Sequence, residues 1–203
     1  MSDEVVARLD SFYADDPHPW GTEPLPVVVQ HVDAFHPGTV LDLGGGDGRN
    51  ALFLAARDFD VTVVDVVPRA LESLGRKAAE QGLSVGSELL DLAGYAPAPH
   101  DNLVCTLTLH FLLEEDAARL LATAQKATRP RGVHVITTFT RDGPLFQESA
   151  RGRFWLPPGE LATLYAGWEV LHSGSRIAET AARDERGEPY RQPMDEVVAR
   201  KPT

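Results

Sequence analysis

The sequence predicts an α/β fold, a doubly wound and mostly parallel seven-stranded sheet with an antiparallel C-terminal strand pair. Three observations carry that reading. Short apolar runs alternate with helical patterns from Thr39 to Thr138, and strands separated by crossover helices lie parallel, with helices on both faces. A glycine-rich turn joins the first of these strands to its helix. The last two apolar runs are connected without a strong helix pattern, which fits antiparallel pairing.

Element by element, Met1 to Leu25 reads as a leading segment in which Pro17, Pro19, Pro24 and Pro26 oppose helix. Val27–Phe35 is a short helix stopped by the turn pair Pro37-Gly38. Strand Thr39–Leu43 leads to helix Arg49–Asp58. Strand Val61–Asp65 leads to helix Pro68–Gln81, where Pro68 suits a first helical turn. A short strand lies near Ser84–Leu90. Strand Asn102–Leu107, helix Glu114–Thr128 and strand His134–Thr138 close the alternation. Pro157-Pro158-Gly159-Glu160 opens a helix to about Tyr165. Trp168–His172 and Met194–Ala199 are the final strands, with a solvated turn at Asp184-Glu-Arg-Gly187-Glu-Pro between them. The expected division is one domain over 1–203, with a leading segment or lid at 1–26. A nucleotide-binding core follows at 27–139, then a substrate loop and terminal strands at 140–203.

Composition bounds the function. A chain of 203 residues with 43 % hydrophobic content buries a full core. The 19 Lys and Arg against 30 Asp and Glu leave a net charge of −11, which repels a phosphate backbone, and no Lys/Arg run offsets it. Nucleic acid is therefore not the expected partner. Nor is a membrane, since no run approaches the ~20 apolar residues of a bilayer span. Met1–Asp10 is acidic and polar, unlike a signal peptide. The lone Cys105 has no internal disulfide partner, and a cytoplasmic location is expected.

Residues 40–50 carry the functional signal: Val-Leu-Asp-Leu-Gly-Gly-Gly-Asp-Gly-Arg-Asn. Gly44, Gly46 and Gly48 alternate in a turn too tight for side chains, so backbone N–H groups and a helix start face the ligand. Asp42 stands before the glycines, at the end of the strand. Gly46-Asp-Gly48-Arg-Asn-Ala51 also satisfies the G-x-G-x-x-A form of a nicotinamide or flavin motif. In that motif no acid is required at the strand end. The pattern Asp-x-Gly-x-Gly-x-Gly resembles motif I of class I S-adenosylmethionine-dependent methyltransferases, where a carboxylate suits a cationic ligand that has no pyrophosphate.

Further candidates lie at the ends of the strands, where open parallel sheets bind ligands. Asp65 ends the second strand and either accepts both ribose hydroxyls or caps the following helix. Asp91 follows the third strand. The resemblance places an acid there near the adenine amino group, and a plain turn aspartate is the alternative. Taken together, the resemblance implies cofactor contacts from Asp42, Gly44, Gly46, Gly48, Asn50, Asp65, Val66, Asp91, Leu92 and Thr106. Cys105 reads as a buried core residue rather than a nucleophile. His110 follows the fourth strand, in a loop that faces the transferred methyl group in this architecture, so it either touches substrate or is structural. Arg49 either pairs with an acid such as Asp47 or meets the methionine carboxylate.

The likeness extends further. Leu41 to Ala56, Phe111-Leu-Leu-Glu, Arg129-Pro-Arg-Gly132, Gly159-Glu-Leu-Ala-Thr-Leu-Tyr-Ala-Gly-Trp168-Glu-Val and Val198-Ala-Arg-Lys201 together resemble the tellurite-resistance (TehB-type) methyltransferases. The likeness covers most of Val27 to Lys201. Two departures stand out. The family's Gly-Cys-Gly is Gly44-Gly45-Gly46 here, which leaves cofactor binding intact. After Glu179 the family implies a His-Arg pair near the substrate, whereas this chain has Ala181-Ala182, which counts against an oxyanion substrate. Arg183 and Arg191 lie nearby, but a shifted arginine is not a matched one.

The expected activity is in-line methyl transfer from S-adenosylmethionine, leaving S-adenosylhomocysteine, to a small molecule: a thiol, chalcogen oxyanion, hydroxyl or amine. Alignment and desolvation lower such a barrier. The sequence has no Asn/Asp-Pro-Pro-Tyr/Phe motif for nucleobase amines and no metal-ligand spacing. His110, Tyr13 and Arg141 are the substrate-side candidates. Phe12, Tyr13, Trp20, Phe146, Phe154 and Trp155 are the aromatics expected to shape a pocket, while Trp168 reads as core. The segment Thr140–Trp155, with Arg141, Arg151 and Arg153, is either a lid or a surface loop. From a different class, a non-catalytic S-adenosylmethionine-binding sensor or partner subunit remains the alternative, with a nicotinamide oxidoreductase third.

Overall fold

The computed structural model of the chain describes residues 3–16, 18–147 and 152–203. Pro17 and Arg151, both singled out above, lie outside the described residues.

Seven strands form one sheet in the order β3-β2-β1-β4-β5-β7-β6. They are β1 Thr39–Leu43, β2 Asp60–Asp65, β3 Gly86–Leu89, β4 Asn102–Thr106, β5 Val133–Phe139, β6 Glu169–Arg183 and β7 Pro189–Arg200. The first five run parallel, and β7 is antiparallel to both β5 and β6. Between the strands lie α3 Arg49–Ala55, α4 Pro68–Glu80 and α5 Glu114–Ala127, after α1 Asp3–Asp15 and α2 Pro26–His31. No helix among the described residues is long and apolar enough to cross a membrane.

Period-two alternation divides the core. Leu41, Leu43, Leu103, Cys105 and Ile136 face α5, with Leu120, Leu121 and Tyr165. Val40, Val61, Val63, Val104, Val133 and Val135 face the opposite layer, with Leu54 and Leu74. The parallel strands β1, β2, β4 and β5 thus bury apolar side chains on both faces, as a sheet covered on both sides requires, while the edge strand β3 is exposed. Cys105 is fully buried in the first of these layers, where desolvation pushes its thiol pKa up. It is core.

The expected elements form close to their predicted bounds, with four differences. The leading segment contains α1, because Val5, Leu9, Phe12 and Tyr13 recur on one helical face and pack on Val67 and Ala70. An ion pair from Asp10 to Arg69 on α4 closes the outer edge at 2.7 Å. The stretch after His172, expected as a connection, continues β6 to Arg183 in one long hairpin with β7. β6 is the outer strand of the sheet, half exposed along its length, so its sequence shows no apolar alternation there. Trp168 precedes β6 rather than lying in it, and its ring packs 4.7 Å from that of His134. The core reading of Trp168 holds. The predicted helix to Tyr165 is a 3₁₀ turn, Leu161–Tyr165.

Pro193 lies inside β7, one residue beyond the last β5 partner, Met194. Its missing N–H is replaced by a side chain. The buried Gln192 donates from Nε2 to the Thr140 carbonyl at 2.7 Å and accepts the Leu145 N–H at Oε1 at 2.9 Å. Gly143 passes so close to this amide that no Cβ would fit. The first half of the loop after β5 is therefore fastened to the hairpin.

Candidate active site

The order of strands reverses between β1 and β4, and the carboxyl ends of these two strands frame the crevice where such sheets take ligands. The glycine loop lies on one side of it and residues 106–111 on the other. Thr108 joins them, its hydroxyl 3.3 Å from the Gly44 carbonyl. Gly44 has φ +67°, and a Cβ there would overlap the Thr108 side chain. Gly46 has φ +57°, and its Cβ would come within 2.5 Å of the Tyr13 hydroxyl. Only glycine suits both the backbone conformation and the space.

Three carboxylates converge behind this loop, each in a different state. Asp42 is fully buried, and neither of its oxygens has a hydrogen-bond partner. Burial, with a smaller push from Asp65 and against the pull of Arg49, raises its pKa to about 7. Asp65 is satisfied from both sides. Its Oδ2 accepts the Gly46 N–H and its Oδ1 the Val67 N–H, both at 2.9 Å. Burial still raises its pKa, opposed by those backbone donors. Asp47 is paired with Lys77 of α4. That lysine had no sequence signal beyond helical spacing.

The remaining predicted residues fall as follows. Asn50 and Thr106 are buried and bonded to each other, Nδ2 to Oγ1 at 3.0 Å, while Asn50 Oδ1 accepts the Leu25 N–H. Asp91 lies two residues beyond β3, and its Oδ1 accepts the Ala93 N–H in a tight turn. Leu92 is buried in the α5-side core, and Val66 packs with Val67 and α1. Arg49 feels the Asp47 charge without hydrogen-bonding to it. Its Nη1 donates to the Trp20 carbonyl at 2.7 Å, tying the leading segment to α3.

Tyr13 is the substrate-side candidate drawn closest to the loop. Its hydroxyl lies over Gly46 and accepts the Trp20 indole N–H at 2.9 Å. Burial, with Asp47 and Asp65 nearby, pushes its pKa up. His110 sits in the 3₁₀ turn Leu109–Phe111, buried, with Nδ1 unpaired. Burial, reinforced by the Arg153 cation, lowers its pKa to about 3, so the imidazole is neutral. Its ring contacts those of Phe111, Phe139 and Trp155 at 4.2, 4.7 and 5.5 Å. Arg141 is exposed on the loop after β5. Phe154, expected at a pocket, is buried in the α5-side core instead, because the chain re-enters the core there through a bond from its N–H to the Leu112 carbonyl. Arg183 and Arg191 are exposed on the distal hairpin.

Strand order and glycine turn together define the class I, Rossmann-like methyltransferase fold. The family model described as tellurite resistance protein TehB matches residues 12–194, and the chain belongs to that family. It is 31 % identical over 84 % of its length to a protein named Hemagglutinin 1 from Eikenella corrodens, covering 57 % of that protein. It is 28 % identical to a probable S-adenosyl-L-methionine-dependent methyltransferase TehB of Haemophilus influenzae (strain 10810), over 86 % of this chain and 61 % of the relative. The crystal structure of TehB from Haemophilus influenzae superposes with a TM-score of 0.79 at 26 % identity, over 95 % of this chain and 66 % of that one. The chain thus spans less than two thirds of the length of each of these relatives.

Proposed function

We propose that the chain is an S-adenosylmethionine-dependent methyltransferase acting on a small molecule. The observation that carries this reading is the pairing of a side-chain-free loop with buried carboxylates: the Gly46 N–H bonds to Asp65, and Asp42 lies unpaired beneath Gly45. An anionic cradle suits a ligand bearing a sulfonium and an ammonium and opposes a dinucleotide pyrophosphate. The residues present fit such a ligand: at Gly46 a side chain is excluded, and Asp42 is a buried acid whose desolvation a cation would offset.

In this reading Asp65 holds the ribose hydroxyls with its remaining lone pairs, and Asp91 with Leu92 lies at the adenine end. Gly44, Gly46 and Gly48 admit the ligand's amino-acid part against backbone, with Tyr13 closing over it. Asn50 and Thr106 brace the loop against β4, and Val66 supports the ribose from α4's entry. When bound, the cofactor supplies an electrophilic methyl group. Asp42, Asp65, Asp91 and the glycine loop would hold it so that this methyl faces the acceptor. Residues 1–26 act as a lid, 27–139 hold the cofactor and 140–203 face the acceptor. The lone buried Cys105 supports a cytoplasmic setting.

Titration calorimetry with S-adenosylhomocysteine, followed by transfer of labelled methyl groups to a panel of thiols, phenols, amines and chalcogen oxyanions, tests the proposal. Saturable binding and a labelled product are expected. Binding without product from any acceptor would favour the non-catalytic sensor.

A further inference from the structure

The loop after β5 and the turn after β4 meet in an aromatic cluster that the cofactor reading leaves without a task. The rings of Phe139 and Trp155 lie 6.2 Å apart and nearly parallel, at 29°, and Phe146 packs on Trp155 at 5.6 Å. His110 closes the cluster against both Phe139 and Trp155. Two polar atoms are stranded inside it: His110 Nδ1 and Trp155 Nε1 are buried with no hydrogen-bond partner. Such atoms are rare in native interiors, and their neighbourhood is where a missing partner belongs. His110 is itself 7 % exposed.

The position fits an acceptor. Phe139 ends β5, and His110 follows β4 by four residues, both at the carboxyl ends of neighbouring strands on the β4 side of the crevice. Phe111 joins this cluster to the ring set of Phe12, Tyr13 and Trp20, and the Tyr13 hydroxyl lies over Gly46. The two aromatic groups, one beside the glycine loop and one around Trp155, thus share Phe111.

Arg141 is exposed on the loop after β5, and two other described arginines bond backbone carbonyls. Arg153 Nη1 donates to the Phe111 carbonyl at 2.5 Å and Arg49 to that of Trp20, while Asp42, Asp47 and Asp65 are the buried charges of the loop. A flat, uncharged ring finds faces to stack on and two edge atoms to bond, one of them an N–H donor.

Resting on the methyltransferase reading, we infer that residues His110, Phe139, Phe146 and Trp155 form the acceptor subsite, and that it takes a neutral planar aromatic or heteroaromatic molecule. The acceptor carries its nucleophilic hydroxyl, thiol or ring nitrogen at the edge, hydrogen-bonded to His110 Nδ1, with Trp155 covering the ring face.

Calorimetry on the protein saturated with S-adenosylhomocysteine tests this, using 1-naphthol and 8-hydroxyquinoline as planar probes and tellurite and dithiothreitol as compact ones. The planar probes should bind saturably and the compact ones should not. Trp155→Ala should weaken the planar probes by about tenfold and Trp155→Phe by much less, with S-adenosylhomocysteine affinity unchanged. His110→Phe should cost about tenfold, and His110→Asn, which keeps an edge acceptor, should recover most of it. Thermal melting confirms that each variant folds. Absent planar binding to the loaded protein, tellurite binding in competition with 1-naphthol, or a Trp155→Ala variant as tight as the parent overturns the inference and leaves the cofactor reading standing. Failure of S-adenosylhomocysteine itself to bind overturns both.

Discussion

The Gly46 N–H donates to the Asp65 carboxylate at 2.9 Å, across nineteen positions of sequence. This bond sets the glycine loop against the end of β2, and the second Asp65 oxygen holds the first turn of α4 through Val67. The two readings open at the level of sequence, ligand contact and helix cap, are thus compatible in one side chain: each oxygen accepts one backbone donor and keeps lone pairs for another.

Asp65→Ala is expected to weaken S-adenosylhomocysteine binding by about 1–3 kcal/mol, the scale of a lost charge-assisted bond with its buried partners left unpaired. Asp65→Asn should retain part of it. Calorimetry decides, and an unchanged affinity in the alanine variant would take Asp65 out of the site.

Asp42 makes stability depend on pH. Its pKa, raised to about 7 in the folded chain from about 4 unfolded, means that the folded state holds the proton more tightly. The contribution is full below about pH 4 and is lost as pH rises to about 7. His110 has the opposite sign: its pKa is lowered to about 3, so its contribution is full above about pH 6.5 and is lost as pH falls. His134, buried and held below its usual value by desolvation and by His100 and Lys201, acts in the same direction as His110. The parent's net profile mixes these slopes, so the comparison must be by variant. Melting temperature followed from pH 5 to 8 should fall less with rising pH in Asp42→Asn than in the parent. Parallel profiles would remove Asp42 as the source.

At Gly46 the left-handed backbone and the Tyr13 hydroxyl act together. Gly46→Ala should cost about 1–2 kcal/mol from the backbone alone, and more if Tyr13 cannot move aside. Gly46→Val should abolish cofactor binding. In the double variant Gly46→Ala with Tyr13→Phe the clash is relieved, so its loss of stability should be smaller than the sum of the single losses. Strict additivity in denaturant unfolding would separate the two residues.

Gln192→Ala leaves the Thr140 carbonyl and the Leu145 N–H without partners at the foot of the loop after β5. A loss of about 1–3 kcal/mol is expected, together with faster amide exchange at Leu145. An unaltered exchange rate there would show that the loop is held by other contacts.

The parts legible in the sequence were those written in neighbouring residues. β1 carries Val40, Leu41 and Leu43 and meets glycine at Gly44, so strand and turn declare each other. α4 carries its own start signal in Pro68, and the acids at positions 42 and 65 stand at strand ends. α1 left a weaker trace: Val5, Leu9 and Phe12 are spaced for a helical face, but acidic residues between them and four prolines after them obscured it. Extended β6 left almost none, since an outer strand exposed to solvent has no reason to alternate. Gln192 looks like any polar residue until Pro193 is seen to withhold a donor from β5.

By itself, then, the amino-acid order determined the alternation of strand and helix, the side-chain-free turn and the acids that flank it, because each depends on local spacing and backbone freedom. Tertiary structure alone decided which groups pair across the crevice: Arg49 with the Trp20 carbonyl, Asp47 with Lys77, Tyr13 over Gly46, and His110 among rings from three separate segments. Those pairings join residues far apart along the chain, and a side chain's burial and charge state follow from what the folded sheet brings beside it.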